Sequence, residues 1–84
     1  MYQQFEQSAK DVQNLSQKPS NEELLQLYGL YKQATIGDNE TSQPSMFDFK
    51  GKSKWNAWNA LKGTTKEKAM VEYIKLVNQL KSKY

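Results

Sequence analysis

The sequence predicts an all-α fold, a four-helix bundle in one domain, from two observations and the length of the chain. Apolar residues recur every three or four positions in four separate segments, and no segment sustains the apolar–polar alternation of a strand. One polar stretch, residues 37–49, interrupts this pattern in mid-chain. With 84 residues, the chain has room for a single hydrophobic core.

The first helix is predicted over about residues 3 to 15. Phe5, Ala9, Val12 and Leu15 are separated by four, three and three positions, which places them on one helical face. Pro19 follows, and because proline cannot continue a helix, the helix is expected to end before it.

The second helix is predicted to begin after Ser20 and to end near Ile36. Ser20 and Glu23 have the spacing of a capping box, in which each side chain accepts a hydrogen bond from the other residue's backbone N–H. Gly37 follows the last apolar position, and glycine tolerates the left-handed backbone that ends many helices.

Residues 37–49 are predicted to form a long ordered crossover. They show no period, but Met46, Phe47 and Phe49 could pin the segment to the bundle. Thirteen extended residues span about 40 Å, whereas the second helix is only about 24 Å long. The second and third helices can therefore run parallel.

The last two helices are separated by a short polar turn. The third is predicted over about residues 51 to 62, from the spacing of Trp55 and Trp58, and Gly63 marks its end. Thr64 and Glu67 have the spacing of a second capping box. The fourth helix then runs to the C-terminus with an apolar face of Met70, Tyr73, Ile74, Val77, Leu80 and Tyr84.

The composition excludes most catalytic and metal chemistry. The chain has no cysteine and no histidine, which removes disulfides, zinc–thiolate sites, thiol nucleophiles and histidine-based catalytic pairs. The carboxylates fall at caps, in the crossover or on exposed faces, and none forms an acid–base pair. We therefore expect no catalytic residues, no metal and no enzyme.

Charge and hydropathy indicate the cellular setting. The net charge is +3, from twelve lysines and nine acidic residues, and there is no arginine. This disfavours sequence-specific nucleic-acid binding, because arginine is the bidentate reader of bases. No apolar run approaches the roughly 20 residues of a membrane span. The first residues also lack the basic and apolar regions of a secretory signal. A cytoplasmic location is expected.

Tyr28, Tyr31 and Lys32 form the first candidate site. At this spacing they share one helical face, where two rings and an ammonium could hold a nucleotide. The alternative is that the tyrosines, like Trp55 and Trp58, are core residues and that Lys32 is an ordinary surface cation.

A second candidate site is the start of the third helix. Lys50, Lys52 and Lys54 crowd a helix end whose dipole disfavours cations, unless an anion binds there. The alternative is a solvated charged run that Asp48 partly offsets.

The run Tyr28 to Asp38 resembles the acyl-CoA-binding protein family, also known as the diazepam-binding inhibitor. It consists of Tyr-Gly-Leu-Tyr-Lys-Gln-Ala-Thr-Ile-Gly-Asp. The resemblance continues across essentially the whole chain, through Lys18–Pro19, Pro44, Asp48–Gly51, Lys54–Asn59, Leu61–Gly63, Ala69, Tyr73 and Lys83–Tyr84. It implies that residues 1–84 form one acyl-CoA-binding domain, a bundle with up-down-down-up topology.

The resemblance also implies a ligand, a long-chain acyl-CoA ester bound non-covalently and without a further cofactor. The head group is assigned to the residues matching Tyr28, Tyr31, Lys32, Lys50, Lys54 and Tyr73. Lys32, Lys54 and the Tyr28 hydroxyl are implied to hold the ribose 3′-phosphate. The adenine would pack among Ala9 and the three tyrosines, and Lys18 would attract phosphates from the rim.

The acyl chain is expected along the approach to the second helix, on Leu24, Leu25 and Phe49. Two positions depart from the family pattern: Gln13 stands where members often carry lysine, and Leu24 where methionine is common. One lost exposed cation weakens affinity by about 0.3–1 kcal/mol, and leucine nearly conserves the volume of methionine. We expect binding to survive both departures.

The implied function is sequestration and transport of medium- and long-chain acyl-CoA by a monomer, with transient contacts to lipid-metabolising enzymes or membranes. One alternative is a helical interaction module or peptide precursor that binds no small molecule. A second is an enzyme with a lysine or tyrosine base, and a third is nonspecific binding of nucleic acid or anionic membranes through the lysines.

Overall fold

The computed structural model describes residues 1–84, which form four helices and no strand. The helices are α1 (Tyr2–Gln13), α2 (Asn21–Thr35), α3 (Phe49–Asn59) and α4 (Lys66–Lys83). The predicted all-α class and helix number are confirmed. None of the four helices combines the length and apolarity needed to cross a bilayer.

Helix α4 is the central helix of the bundle. It packs against both α1 and α2, whereas α3 packs against α2 alone. The core consists of Phe5, Leu27, Ala34, Ala69, Tyr73, Val77 and Leu80. Burial of each large apolar side chain contributes about 1.5–3 kcal/mol. Helices α1 and α2 both pack on α4, but their backbones stay apart and their side chains meet at the stacked rings of Phe5 and Tyr31, so a gap remains along the rest of the pair.

Contacts at the helix ends determine the directions of α1, α2 and α4. Lys81 Nζ lies 3.0 Å from a carboxylate oxygen of Asp11, which joins the last turns of α4 and α1, so these helices are parallel. Lys83 Nζ lies 3.2 Å from Glu23, which joins the end of α4 to the start of α2, so these are antiparallel.

Helices α2 and α3 run parallel. Their first turns lie together, because Asn21 and Lys50 line one small pocket. Further along, Gly29 of α2 lies against the backbone of Ala57 in α3. The bundle is therefore up-down-down-up, as predicted.

The capping box at the start of α2 is present as predicted. The Glu23 backbone N–H donates to Ser20 Oγ at 3.2 Å, and the Ser20 N–H donates to Glu23 Oε1 at 2.8 Å. The second predicted box, of Thr64 with Glu67, is wrong. Thr65 caps α4 instead, and its hydroxyl accepts from the Lys68 N–H, while the Thr64 carbonyl accepts from the Gln33 side chain.

The crossover is ordered, but by other residues than predicted. The Trp58 indole N–H donates to the Gly37 carbonyl at 2.8 Å, and that of Trp55 donates to the Thr41 carbonyl at 3.1 Å. The side chain of Asn39 is buried and accepts from the Thr41 N–H. Backbone polar groups need hydrogen-bonding partners, which apolar side chains cannot supply.

Met46, Phe47 and Phe49 do not pin the crossover, contrary to prediction. They are 67%, 81% and 75% exposed. The segment ends at Asp48, whose side chain accepts from the Gly51 N–H at 3.0 Å and caps α3 two residues earlier than expected.

Helix α3 ends at Asn59, before the predicted end near residue 62. A turn follows to Gly63, which has a φ of 90°, a left-handed conformation that favours glycine. The Gly63 N–H donates to Asp38 Oδ1 at 2.9 Å. The end of α3 is thereby tied to the end of α2.

Candidate functional site

The largest opening in the molecule is a cleft between α1 and α2. It has a volume of about 730 Å³, and α4 forms its floor. Its lining comes from both helices, the α1–α2 connection and one residue of α4: Ala9, Val12, Gln13, Leu15, Ser16, Gln17, Lys18, Pro19, Leu24, Leu27, Tyr28, Tyr31 and Tyr73. The cleft exists because the backbones of the two flanking helices do not come close to each other, although the rings of Phe5 and Tyr31 meet at one wall.

Three aromatic rings meet at one wall of the cleft. The Tyr31 ring lies 5.5 Å from that of Phe5, nearly parallel at 22°, and 6.0 Å from that of Tyr73. Phe5 and Tyr73 are buried, whereas Tyr31 is 43% exposed. Tyr31 is therefore held in place by two core rings and still presents aromatic surface to a planar ligand.

Tyr73 connects the cleft to the core. Burial raises the pKa of its hydroxyl to about 12, and the neighbouring Tyr31 adds to this shift. Like any tyrosine, Tyr73 is protonated at neutral pH and can donate a hydrogen bond at the floor of the cleft.

Two lysines from different helices meet at Tyr28. Lys32 Nζ, one turn further along α2, lies 5.8 Å from the centre of the Tyr28 ring, and Lys54 Nζ of α3 lies 5.4 Å from it. Lys32 Nζ also lies 5.8 Å from the Trp58 ring. Both ammonium groups lie close to the Tyr28 ring, which attracts them without neutralising their charge.

The cleft and its rim carry positive charge. None of the cleft-lining residues is acidic. The ion pairs of the molecule join Lys75 to Glu72, Lys81 to Asp11 and Lys83 to Glu23. The cations at this site, Lys18, Lys32, Lys50 and Lys54, belong to none of these pairs and remain available to an anion.

Most of the predicted site residues come together here. The cleft is lined by Ala9, Gln13, Lys18, Leu24, Tyr28, Tyr31 and Tyr73. Lys32 and Lys54 lie beside it at the Tyr28 ring, and Lys50 shares a pocket of about 310 Å³ with Lys54.

Leu25 lies apart from the cleft. It lines the pocket of Lys50 and Lys54 and a groove of about 420 Å³ formed by α2, α3 and α4. Successive residues differ by about 100° around a helix, so Leu24 and its neighbour Leu25 face different surroundings. Phe49 is exposed and does not line the cleft.

Several cleft residues were not predicted from the sequence. They belong to α1, α2 and the connection between them: Val12, Leu15, Ser16, Gln17, Pro19 and Leu27. Val12 and Leu15 carried a signal, the apolar stripe of the first helix, but this stripe is equally typical of core packing. Only the gap between α1 and α2 exposes them to the cleft.

The arrangement suits an amphiphilic anion. One part of the cleft offers an apolar wall that includes Val12, Leu15, Leu24 and Leu27. Another part presents the rings of Tyr28, Tyr31 and Tyr73, and the ammonium groups of Lys32 and Lys54 lie close to Tyr28. An apolar chain, a planar base and phosphates would each find complementary surface. The chain holds no group of three or more carboxylates that could bind a metal ion.

Comparison with known proteins identifies the family. A family model described as acyl CoA binding protein matches residues 2–77. The chain is 51% identical over 81 residues to an acyl-CoA-binding protein homolog of Drosophila melanogaster, covering 96% of this chain and 94% of the relative. It is 55% identical over 80 residues to an acyl-CoA-binding protein of Saccharomyces cerevisiae, with coverages of 95% and 92%.

Solved structures agree with these relatives. The crystal structure of Oryza sativa acyl-CoA-binding protein 2 superposes with a TM-score of 0.94 at 45% identity, covering 98% of this chain and 89% of that one. The solution structure of the yeast acyl coenzyme A binding protein gives a TM-score of 0.79 at 54% identity, with coverages of 100% and 98%. The chain belongs to the acyl-CoA-binding protein family.

Proposed function

We propose that this protein binds medium- and long-chain acyl-CoA esters non-covalently in the α1–α2 cleft and transports them. One observation carries the proposal: the cleft has an apolar wall, and the ammonium groups of Lys32 and Lys54 lie near the ring of Tyr28, which lines the same cleft. Membership of the family supports it.

Each part of the ligand is assigned a different region. The ribose 3′-phosphate binds Lys32, Lys54 and the Tyr28 hydroxyl, and the adenine packs on Tyr31 and Tyr73. Ala9 and Gln13 of α1 border the base, while Lys18 and Lys50 attract the remaining phosphates. Charge-assisted hydrogen bonds of this kind are about twice as strong as neutral ones.

The acyl chain is assigned to the apolar wall, with Leu24 as its predicted contact. Leu25 is also a predicted contact of the acyl chain. The acyl chain contacts Leu25 only where it leaves the cleft and passes over α2. Each CH₂ removed from water contributes about 0.8 kcal/mol, so affinity rises with chain length until the wall ends. Free CoA, which has no tail, binds more weakly.

The proposal describes a monomeric, cytoplasmic carrier without catalytic turnover. All proposed contacts come from one chain, so binding needs no second copy. The intracellular origin of acyl-CoA esters supports the proposed cytoplasmic location. Transient contact with lipid-metabolising enzymes delivers the ligand. The monomer is tested by sedimentation, the location by cell fractionation and the lack of turnover by thioester hydrolysis assays.

Calorimetric titration with palmitoyl-CoA below its micellar concentration tests the binding proposal. Free CoA and palmitate are the controls, since free CoA has only the head group and palmitate has only the acyl chain. We expect saturable one-to-one binding of palmitoyl-CoA and far weaker binding of both controls. A titration without saturable heat would favour the interaction module, and equal affinity for free CoA would remove the role of the apolar wall.

A further inference from the structure

A second pocket adjoins the α1–α2 cleft at Tyr31 and lies toward the start of α1 and the end of α2. We call it the outer pocket. It has a volume of about 280 Å³ and is lined by Tyr2, Phe5, Glu6, Ala9, Lys10, Gln13, Tyr31 and Thr35. Three of these residues, Ala9, Gln13 and Tyr31, also line the cleft. They therefore lie at the boundary between the two spaces, where the proposed function places the adenine.

Gln13 brings a carboxamide to this boundary. It is the last residue of α1 and follows Ala9 by four positions, so the two side chains lie one above the other on the same helical face. Because Ala9 carries only a methyl group, Gln13 is the longer of the two. Its side chain can reach the edge of a base that packs on the Tyr31 ring.

The carboxamide of Gln13 is free to bind a ligand. The side chain is exposed and forms no hydrogen bond within the protein. Other glutamines are occupied, since the Gln7 amide donates to Asp11 Oδ1 at 2.8 Å, and the buried Gln33 amide donates to Asp38 Oδ1 at 2.9 Å. A ligand at the boundary therefore has no internal bond of Gln13 to displace.

A carboxamide complements the edge of adenine that carries the 6-amino group. That edge presents an N–H donor beside a ring-nitrogen acceptor, whereas glutamine presents an oxygen acceptor beside an N–H donor. Two hydrogen bonds can form together, and this pairing distinguishes adenine from other bases. Lysine, which members of the family often carry at position 13, has donors only and cannot accept from the amino group.

We infer that Gln13 reads the adenine of the acyl-CoA head group and makes binding selective for this base. The inference rests on the proposed function, which places the base at the boundary between the cleft and the outer pocket. Glu6 and Lys10 also line the outer pocket, but an ionised carboxylate only accepts and an ammonium only donates. Gln13 instead matches both groups of the adenine edge, a contact that depends on the identity of the base.

Calorimetric titration with two ligands tests the inference. One is palmitoyl-CoA, and the other is the same molecule with unsubstituted purine in place of adenine, which lacks only the 6-amino group. Wild-type protein should bind the purine analogue about fivefold more weakly, the effect of one lost hydrogen bond. Gln13→Ala should bind palmitoyl-CoA at least about fivefold more weakly than the wild type does and show no preference between the ligands. Gln13→Lys should show no preference either, since its ammonium attracts the phosphates of both ligands alike.

Two further variants are matched controls. Gln79→Ala removes a carboxamide from an exposed position of α4, outside the cleft and the outer pocket, and should bind both ligands like the wild type. Glu6→Ala removes the carboxylate of the outer pocket, the rival acceptor for the 6-amino group, and should keep the wild-type preference for adenine. Thermal melting of every variant confirms that it is folded.

The ratio of the two affinities separates base reading from other roles of Gln13. A Gln13→Ala protein that keeps the wild-type ratio overturns the inference, since a merely structural role would weaken both ligands equally. Loss of the preference in Glu6→Ala but not in Gln13→Ala assigns the reading to Glu6 and also overturns it. Wild-type protein that binds both ligands equally well contradicts the inference and leaves the proposed function intact. Wild-type protein that binds neither ligand contradicts the proposed function, and the inference fails with it.

Discussion

Gly29 of α2 touches the backbone of Ala57 in α3 so closely that a Cβ at position 29 would lie 2.7 Å from the Ala57 carbonyl oxygen. This contact sets the separation of the two helices. Because Tyr28 and Lys32 stand on one helix and Lys54 on the other, it also sets the distance between the groups assigned to the ligand's phosphate. Glycine is required here by close approach, with no strain in its backbone.

We predict that Gly29→Ala destabilises the fold and weakens acyl-CoA binding together. Overpacking of this kind costs about 1–3 kcal/mol, and the backbone carbonyl it meets can yield only if α3 moves. Thermal melting and palmitoyl-CoA titration measure the two effects. Ala60→Gly, which alters an exposed residue at the end of α3, is the control. A Gly29→Ala protein with wild-type melting and affinity would show that the helix separation is not critical.

Tyr31→Ala should weaken palmitoyl-CoA binding more than it weakens the fold. Stacking of a base on an aromatic ring contributes about 1–3 kcal/mol, whereas the ring is half exposed and its loss leaves only part of the core uncovered. Tyr31→Phe keeps the ring and is expected to bind nearly like the wild type. Equal weakening by both variants would assign the role to the hydroxyl instead of the aromatic face.

The charge of Lys32 should matter for the phosphorylated head group. Hydrogen bonds to charged groups contribute about 1.5–3 kcal/mol, so Lys32→Ala should weaken binding by about tenfold or more. Lys68→Ala, which removes an exposed lysine of α4, should have little effect. The titration is repeated with a 3′-dephosphorylated acyl-CoA, for which Lys32→Ala and wild type should differ less. An unchanged difference would place Lys32 elsewhere on the ligand.

The sequence was informative about the fold wherever a structural element depends on neighbouring residues. Helical spacing predicted four helices, and the Ser20–Glu23 pair predicted a cap whose two bonds lie within one turn. It failed at Thr64, because two adjacent threonines both fit the local pattern; Thr65 is the cap, and the Thr64 carbonyl accepts from Gln33, 31 positions away. The crossover is ordered as predicted, but the residues that hold it were wrongly predicted, because its hydrogen bonds come from indoles of a later helix.

In the candidate site, too, the sequence placed the residues that lie on one helix and missed the relations that depend on packing between helices. Local spacing brought Tyr28, Tyr31 and Lys32 together, because one helix carries all three. Lys54 reaches them only through the packing of α2 on α3, so local spacing could not place it and the family resemblance did. Val12 and Leu15 were predicted only to share one face of the first helix, because a stripe does not reveal that α1 and α2 leave a gap.

Trp58→Ala should mainly reduce stability. The side chain is buried and its indole N–H donates to the Gly37 carbonyl at 2.8 Å, so truncation leaves both a cavity and an unpaired carbonyl. Truncation of a large buried aromatic residue costs about 3–5 kcal/mol. Trp58→Phe keeps most of the volume and loses the hydrogen bond, and about 1 kcal/mol is expected. Denaturant unfolding measures the free energy of unfolding of both variants. Equal losses in the two would show that the indole hydrogen bond contributes more than the volume of the side chain.

Acid should weaken the contact that ties the end of α4 to the start of α2. The Ser20 N–H, the Tyr84 hydroxyl and Lys83 all bond the Glu23 carboxylate, which lowers its pKa from 4.5 to about 2. Since the folded pKa is the lower one, Glu23 contributes stability that is fully present above about pH 4.5 and is lost as the pH falls to about 2.

The variant Glu23→Gln isolates this contribution, because glutamine can retain the capping bonds but cannot titrate. It should be less stable than the wild type at neutral pH, and the difference between the two should shrink as the pH approaches 2. Denaturant unfolding across this range measures it. Glu22→Gln, which removes an acidic charge from the same turn, is the control. A difference that stays constant down to about pH 2 would mean that the ionisation of Glu23 is not linked to folding.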